Sequence, residues 1–197
     1  MRHVLIVGAG GIGSWLAEHL FNLELHGQFP DDMVFTFADD DTVENKNLSY
    51  QNFSLEDIMD EKSESLSARY GFNSITNRIE KEEQLMNYDG IVCCVDNSKF
   101  RKLLFKYVDK YDNIFWMDMR SEGRDIAIFT KSKKNTLDVM MKTLPKEDVE
   151  NGSCQRQWEF ENNIIQLGNR IVSSIGAQFI LNWVRGDKNT HNYIAHF

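Results

Sequence analysis

Glycines mark the first place in the sequence where residue types and spacing predict chemistry. Gly8, Gly10 and Gly13 follow an apolar run at residues 3–7, and a segment with apolar residues at helical spacing comes next. A glycine turn between a strand and a helix lets the backbone approach phosphate groups, and the N–H groups of the helix N-terminus attract their negative charge. The pattern predicts a nucleotide site at the end of the first strand.

Asp39 extends this prediction from the phosphates to the sugar. It follows a second apolar strand, Met33–Ala38, and lies 26 residues beyond Gly13. A carboxylate in this place can accept hydrogen bonds from ribose hydroxyls. These features fit a NAD-dependent oxidoreductase and an ATP-binding enzyme equally well. The residues that follow have to distinguish the two classes.

Several motifs occur in one order along the chain, and together they favour ATP. They are Gly8-Ala9-Gly10-Gly11-Ile12-Gly13-Ser14, Asp39-x-Asp41, Asn47-Leu48-x-x-Gln51, Lys62, Cys94-x-Asp96-Asn97-x-x-x-Arg101 and Arg120-x-Glu122-Gly123. Closely over residues 3–130, and loosely in the last helix, the sequence resembles the ThiF, MoeB and HesA family in a minimal form. Members of this family are adenylyltransferases related to ubiquitin-activating enzymes. The chain has no identifiable acid or base for hydride transfer, which argues against the oxidoreductase.

The resemblance implies a reaction and a set of site residues. A carboxylate attacks the α-phosphorus of ATP and releases pyrophosphate, so the site has to neutralise negative charge on the nucleophile, the phosphates and the leaving group. By resemblance, Asp39 holds the ribose and Asp96 positions Mg²⁺. Asn47 and Lys62 contact the phosphates, and with Asp96 they form the catalytic set. The resemblance also assigns nucleotide contacts to Gly8, Gly10, Gly11, Gly13, Asp41, Gln51, Asn97 and Arg101.

Four of these residues have structural alternatives. Lys62, which lies in a charged segment, fits a solvated helix lysine as well. Asp96 is also suited to cap the helix predicted to begin near residue 98. Asp41 and Arg101 can each form a structural salt bridge instead.

Three departures from the family pattern bear on activity. The family usually has an arginine in Asn-Leu-x-Arg-Gln, where this chain has Tyr50. A phenol lacks the charge and paired donors of a guanidinium, so we expect a loss of about 2–4 kcal/mol of transition-state stabilisation, or roughly 30- to 1000-fold in rate, unless Arg120, Arg124 or a partner's arginine compensates. The expected N-terminal helical arm has no room before the first strand, and zinc-binding cysteine pairs are missing, so no zinc is expected. These departures leave open a degenerate subunit that binds nucleotide or a carrier without turnover.

Cys154 lies in the segment where some relatives place a thiol that receives the activated carboxylate as a thioester. A reactive thiol has to be exposed and to have a lowered pKa, and Arg156 is the nearby group that can help. The alternative is an unreactive loop cysteine, because nothing else in the local sequence activates it.

The elements that must position these residues predict an α/β fold with a Rossmann-like, doubly wound and mostly parallel sheet. Helices are expected at 14–25, 62–70, 98–110 and 160–184, and strands at 3–7, 33–38, 72–79, 91–95, 114–117 and 125–130. The last of these strands is expected at an edge or in a hairpin. Residues 1–197 are expected to form a single ATP-binding domain, with an irregular loop at 131–158 and a tail at 186–197.

Composition limits the classes of partner. The chain has 197 residues and a formal net charge of -8, and an acidic balance argues against a nucleic-acid partner. No apolar run approaches the ~20 residues of a membrane-spanning helix, so no membrane partner is expected and the cytoplasm is the predicted location. The resemblance implies a ubiquitin-like or sulfur-carrier protein with a C-terminal glycine as the partner, and a homodimer as the assembly.

Overall fold

The computed structural model describes residues 2–145, 162 and 164–197. The described strands are β1 (Arg2–Val7), β2 (Met33–Ala38), β3 (Asn73–Ile75), β4 (Gly90–Cys93), β5 (Phe115–Glu122), β6 (Asp125–Thr130) and β7 (Asn192–His196). The described α-helices are α1 (Gly11–Leu25), α2 (Lys62–Tyr70), α3 (Ser98–Lys110), α4 (Leu137–Lys142) and α5 (Gly168–Arg185). None of these helices has the length and apolar composition that crossing a membrane requires.

The described strands form one sheet in the order β3-β2-β1-β4-β5-β6-β7. β1 pairs in parallel with β2 on one side and with β4 on the other, whereas β6 runs antiparallel to β5 and β7. From β1 the chain therefore continues to β2 on one side and later returns to β4 on the other, which makes the boundary between β1 and β4 the switch point of the sheet. In open α/β sheets ligands bind at such a point, outside the carboxyl ends of the strands. The α/β, Rossmann-like fold class is confirmed, and Gly8, Asp39 and Cys94 lie side by side after β1, β2 and β4.

The central strand β1 is apolar along most of its length because both of its faces are covered. Val4 and Ile6 belong to a core that includes residues of α1 and α5, and Leu5 and Val7 belong to a second core that includes residues of α3. Successive side chains of a strand point to opposite faces, so a strand buried on both faces needs such a continuous apolar run. Packing on both sides fixes the position of the glycine turn that follows.

The last helix begins later than its apolar spacing predicts. α5 starts at Gly168, whereas the sequence predicts a start near residue 160. A Cβ at Gly168 would lie 2.5 Å from the carbonyl oxygen of Gly123, so the helix start is packed against the β5–β6 turn. Ile164 and Leu167 fit the apolar stripe but precede the helix and are exposed. Residues 160, 161 and 163 of the predicted helix lie outside the described residues.

Two segments predicted to be irregular contain regular structure. Residues 192–196 of the expected tail form β7, so β6 forms the predicted hairpin with β5 but is not an edge strand. α4 lies within the expected loop at 131–158, of which residues 146–158 lie outside the described part of the chain. β7 has 5 residues and pairs with a strand that is distant in sequence, so local periodicity did not separate it from a tail.

Candidate active site

A cavity of about 1010 Å³ opens at the carboxyl ends of β1, β2 and β4. Most of the residues selected from the sequence line it, namely Gly8, Gly10, Gly11, Asp39, Asp41, Asn47, Gln51, Lys62, Asp96 and Asn97. Gly13 and Arg101 were also selected, but they are not part of the cavity wall. The fold therefore brings ten of the selected residues together, while their functional roles stay predictions.

The glycine turn is shaped by contacts that leave no room for side chains. Gly8 has a φ of 100°, and a Cβ there would lie 2.8 Å from the carbonyl carbon of Cys94. A Cβ at Gly13 would lie 1.9 Å from the carbonyl oxygen of Gly8, so this last glycine lets α1 pack against the turn. Gly13 thus shapes the cavity without lining it. α1 has no acidic residue in its first turn, so no side chain there neutralises the positive end of its dipole.

Two backbone N–H groups hold the Asp39 carboxylate at the end of β2. Oδ2 accepts a hydrogen bond of 2.6 Å from the Ala9 N–H, and Oδ1 accepts one of 2.9 Å from the Asp41 N–H. Each oxygen has a further lone pair, so the carboxylate keeps acceptor capacity for ribose hydroxyls. Burial raises the pKa of Asp39, and the Lys62 ammonium and the Ala9 N–H oppose that rise.

Lys62 contributes a buried positive charge to the cavity wall. It begins α2, has 7% of its surface exposed, and donates from Nζ to Asp41 Oδ2 at 2.9 Å. Burial alone would lower the pKa of Lys62, but the Asp39 and Asp41 carboxylates outweigh burial and raise it. The alternative of a solvated helix lysine is therefore wrong. Asp41 forms the salt bridge that the sequence allowed and lines the cavity as well.

A short 3-10 helix, Asn45–Ser49, brings Asn47 and Tyr50 to the cavity. Asn47 is buried; its Oδ1 accepts a hydrogen bond from the Glu44 N–H at 2.8 Å, and its Nδ2 donates to the Tyr50 hydroxyl at 3.4 Å. The Trp15 indole N–H donates to the Tyr50 carbonyl at 3.1 Å. These bonds fix the turn to α1 and hold the phenol where the family usually has an arginine.

Gln51 bears on whether a polar ligand fits this cavity. Its side chain is buried beside Gly10, and its Oε1 has no hydrogen-bond partner within the described part of the chain. An unpaired buried acceptor costs free energy, so a bound donor at this wall would be stabilised. The orphaned oxygen is consistent with a cavity that is completed by a ligand such as a nucleotide.

Asn97, rather than Asp96, caps α3. The Asn97 Oδ1 accepts a hydrogen bond from the Phe100 N–H at 3.2 Å. The alternative role of Asp96 as the helix cap is therefore wrong, and Asp96 lines the cavity. Partial desolvation raises the pKa of Asp96, Asp41 adds to the rise, and Arg101 and Lys62 oppose it.

The donor chemistry of the cavity fits a Mg²⁺ ion that arrives with a nucleotide. Asp39, Asp40 and Asp41 each place an oxygen within 4.8 Å of the others, and Asp96 lines the same cavity. Mg²⁺ takes oxygen ligands and is usually held by one or two carboxylates together with substrate phosphates. Asp96 remains the residue predicted to hold the ion.

The structure corrects one of the predicted nucleotide contacts, that of Arg101. Its guanidinium donates to Asp118 Oδ1 at 2.9 Å and to the carbonyl oxygens of Asp96 and Val95. All three of its nitrogen atoms therefore bond within the protein. Arg101 forms the structural salt bridge that was its alternative, because burial against Asp118 places it behind the cavity wall.

Sequence comparison identifies the family to which these motifs belong. The chain matches the ThiF family over residues 1–197. This chain belongs to the ThiF family. The resemblance inferred from the motifs is thereby confirmed. No curated protein sequence matches this ThiF protein significantly.

Three solved structures with the same fold belong to proteins that are longer than this chain. The crystal structure of PaaA aligns with 100% of this chain and 61% of its own, with a TM-score of 0.68 and 15% identity. Escherichia coli MccB with ATP aligns with 93% of this chain and 56% of its own (TM-score 0.60, 19% identity). E. coli MccB with AMPCPP and MccA aligns with 99% and 63% (TM-score 0.62, 17% identity). This chain thus spans about three fifths of the length of these neighbours, and the likeness establishes the fold.

Three basic residues that sequence reasoning missed line the cavity. They are Lys46, Arg78 and Lys99. Arg78 forms a salt bridge of 3.1 Å with Asp40, and Lys46 forms one of 3.0 Å with Glu44. Arg78 and Lys99 follow β3 and β4, and the carboxyl ends of parallel strands meet at one edge of a sheet. Their positions after these two strands were the signal in the sequence from which Arg78 and Lys99 could have been selected.

The two arginines proposed to compensate for Tyr50 lie elsewhere. Arg120 donates to Asp118 at 2.8 Å and to the Thr143 carbonyl at 2.9 Å, which engages its guanidinium within the protein. Neither Arg120 nor Arg124 lines the cavity. The structure therefore places neither arginine at the cavity; within the described part of the chain, the basic residues that line it are Lys46, Lys62, Arg78 and Lys99.

The predicted thioester residue, Cys154, lies outside the described residues, so its role stays a prediction from the sequence. Cys93 and Cys94 are both buried at the end of β4. Burial raises the pKa of the Cys93 thiol far above its ordinary value, which makes it a poor nucleophile.

Proposed function

We propose that this ThiF protein binds ATP with Mg²⁺ and transfers the adenylyl group to a carboxylate of a peptide or carrier protein, with release of pyrophosphate. The observation that carries the proposal is the buried, positively charged Lys62 in a cavity formed by a glycine turn and carboxylates at the switch point of the sheet. A dinucleotide site needs the turn and Asp39 but has no evident need for this lysine.

Positive groups at the cavity suit the electrostatics of such a reaction. An attacking carboxylate approaches phosphates of like charge, so positive groups that are already in place lower the barrier. Lys62 is a compact charge suited to phosphate oxygens, and the N-terminus of α1 adds a positive dipole end. Mg²⁺, when held by Asp96, would neutralise charge on the phosphates. Asp39 would hold the ribose, and Asn47 would orient a phosphate through its amide.

Neighbours with the same fold support the classes of the two substrates. One MccB structure contains ATP, and another contains AMPCPP together with MccA. This fold can therefore place a nucleotide and a second molecule in one protein. The identities of 19% and 17% make this support for the class of reaction and not for a particular acceptor.

The acceptor that we propose is the C-terminal glycine carboxylate of a small ubiquitin-like or sulfur-carrier protein. This acceptor is inferred from the resemblance of the motifs to those of ThiF, MoeB and HesA. A terminal glycine has no side chain, so its carboxylate can approach a bound nucleotide with little steric hindrance. We propose a homodimer and a cytoplasmic location on the same resemblance.

Tyr50 favours a second function, that of a degenerate subunit. Its hydroxyl lies 3.4 Å from the Asn47 amide nitrogen, and at this position of the sequence the family usually has a phosphate-binding arginine. Without that charge, nucleotide or carrier binding could persist while turnover is lost. A subunit that binds nucleotide without turnover would differ from the adenylating enzyme in pyrophosphate exchange and not in ATP binding.

A pyrophosphate-exchange assay tests the proposal. The full chain is incubated with ATP, Mg²⁺ and radioactive pyrophosphate, together with a panel of glycine-ending carriers. Each carrier is paired with the same protein lacking its terminal glycine. Exchange that requires the terminal glycine would support the proposed acceptor, and exchange driven only by short peptides with a free carboxylate would move the acceptor to peptides. ATP binding without exchange for any acceptor would favour the degenerate subunit.

A further inference from the structure

Asp118 is a fully buried carboxylate that is shared by two arginines. It lies in β5 beside the end of β4 and has 0% of its surface exposed. Arg101 donates from Nε to Oδ1 at 2.9 Å, and Arg120 donates from Nε to Oδ2 at 2.8 Å. A buried charge is costly unless it is paired and hydrogen-bonded, so these three side chains stabilise one another as a cluster.

Arg101 links this cluster to the segment that carries Asp96. Its Nη1 donates to the Asp96 carbonyl at 3.1 Å, and its Nη2 donates to the Val95 carbonyl at 2.5 Å. A guanidinium presents its donors in a rigid plane, which a lysine cannot reproduce. Contacts of one planar group with Asp118 and with two successive carbonyls therefore fix the backbone of residues 95 and 96 relative to the sheet.

Arg120 makes the second connection of the cluster, away from Asp96. It donates to the Thr143 carbonyl at 2.9 Å and to the Thr143 hydroxyl at 2.8 Å. Thr143 follows α4, so Arg120 fixes the end of that helix to the same carboxylate. The two arginines share Asp118, but Arg101 is the one whose guanidinium bonds to the segment before α3.

We propose that Arg101 is a positioning residue for the magnesium ligand: held by Asp118, it fixes the backbone of residues 95 and 96 so that the Asp96 carboxylate faces a bound Mg-ATP. This inference rests on the proposed function. Partners that orient a metal ligand commonly change metal affinity by about 10- to 100-fold when they are replaced. Loss of the guanidinium should weaken the binding of Mg-ATP and spare ATP without metal, since metal-free ATP does not use Asp96 in this way.

The test compares Arg101→Lys with Arg120→Lys in the full chain. Both variants keep a positive charge beside Asp118, but only the first removes the contacts with the carbonyls of residues 95 and 96. Calorimetry measures the Kd for ATP with Mg²⁺ and for ATP with EDTA. Arg101→Lys should bind Mg-ATP about 10- to 100-fold more weakly, with metal-free ATP binding changed less than about twofold. Both variants should lower the Tm to a similar extent. Arg120→Lys should nevertheless leave the Kd for Mg-ATP and the Kd for metal-free ATP near those of the wild type.

A double-mutant cycle decides whether Arg101 acts through Asp96. In an Asp96→Asn background, Arg101→Lys should cause no further loss of Mg-ATP affinity, because the ligand that it positions is already gone. Equal losses of affinity with and without Mg²⁺, or a lower Tm with unchanged Mg-ATP affinity, would make Arg101 merely structural and overturn the proposal. If Arg101→Lys does not fold, Asp118→Asn is judged by the same two affinities, because it keeps the shape and one acceptor oxygen.

The wild-type titration separates failure of this inference from failure of the proposed function. A wild-type chain that does not bind Mg-ATP refutes the nucleotide site, and the inference falls with it. If the wild type binds Mg-ATP and Arg101→Lys binds it with the same affinity, only the positioning role is refuted.

Discussion

The Asp39 carboxylate accepts a hydrogen bond of 2.6 Å from the Ala9 N–H, so one side chain joins the end of β2 to the glycine turn. Its other oxygen accepts from the Asp41 N–H, and the Asp41 carboxylate accepts in turn from Lys62 at 2.9 Å. The groups predicted to hold the ribose and the phosphates are therefore linked by direct contacts. A change in the charge of Asp39 should affect both.

As the pH is lowered, nucleotide affinity should begin to fall at a higher pH than it would if Asp39 had the pKa of an ordinary aspartate. Burial raises the pKa of Asp39, so this carboxyl is charged above its raised pKa and becomes neutral as the pH falls through it. The neutral form loses its attraction for Lys62 and part of its acceptor capacity. Calorimetric Kd values for Mg-ATP measured from about pH 7.5 down to about pH 5 would show the loss.

Asp39→Asn is the matched control for this pH dependence. It should bind Mg-ATP more weakly at neutral pH, and the ratio of its Kd to that of the wild type should shrink as the pH falls. Titration of the ATP phosphates is common to both proteins and cancels in the ratio. A ratio that stays constant across the range would contradict the assignment to Asp39.

Separate alanine substitutions of the two neighbours at the start of α3, Asp96 and Asn97, should separate an effect on the reaction from an effect on stability. Asp96→Ala should keep the wild-type Tm, because Asn97 is the cap, and should lower exchange by about 100- to 1000-fold. Asn97→Ala should lose about 1 kcal/mol of stability, a Tm decrease of about 2–4 °C, since the Phe100 N–H loses its acceptor. Thermal unfolding and exchange rates measure both effects. Full exchange by a folded Asp96→Ala protein would exclude its role.

Tyr50→Arg should raise the rate of pyrophosphate exchange. A guanidinium can bind two phosphate oxygens and carries a charge, so restoring it should recover part of the roughly 30- to 1000-fold that Tyr50 is expected to cost. Tyr50→Phe, which removes only the hydroxyl next to Asn47, is the control and should not raise the rate. Rapid wild-type exchange that depends on Lys46, Arg78 or Lys99, with no gain from Tyr50→Arg, would show that these residues supply the charge.

Gly13→Ala should damage the fold, because its Cβ would lie 1.9 Å from a backbone oxygen. We expect a loss of at least about 1–3 kcal/mol and weaker nucleotide binding, since the turn has to move. Gly186→Ala is the control: its φ of 78° costs about 1–2 kcal/mol, but nothing lies within 4 Å of the new Cβ. Its nucleotide affinity should remain that of the wild type. Unaltered affinity in both variants would contradict the shaping role of Gly13.

Much of the fold was predictable because local signals and burial agree. β2, α2 and α3 have the predicted bounds: an apolar run marks β2, Gly71 ends α2, and apolar residues at helical spacing mark α3. β7 and the start of α5 were not predictable in the same way. Their limits are set by β6 and by the carbonyl oxygen of Gly123, which are remote in sequence.

The site shows the same division between local and remote information. The turn and Asp39 could be placed because strand ends converge on one edge of a parallel sheet, whereas Lys62 was selected through its place in the order of the family's motifs. The cap at Asn97 and the internal bonds of Arg101 could not be assigned, because neighbouring residues at a strand end compete for the same roles. Only the three-dimensional position of Asp118 distinguishes an arginine behind the wall from one that lines it.

Thermal shifts of the full chain with Mg-ATP and, separately, with NAD distinguish an ATP site from a dinucleotide site. A ligand at about 100 times its Kd stabilises the folded state by about 2.7 kcal/mol, which corresponds to a Tm increase of about 5–10 °C for a chain of this size. We predict this increase with Mg-ATP, a smaller one with Mg-ATP in Asp96→Asn, and none with NAD. Stabilisation of the wild type by NAD, with no shift at saturating Mg-ATP, would contradict the account.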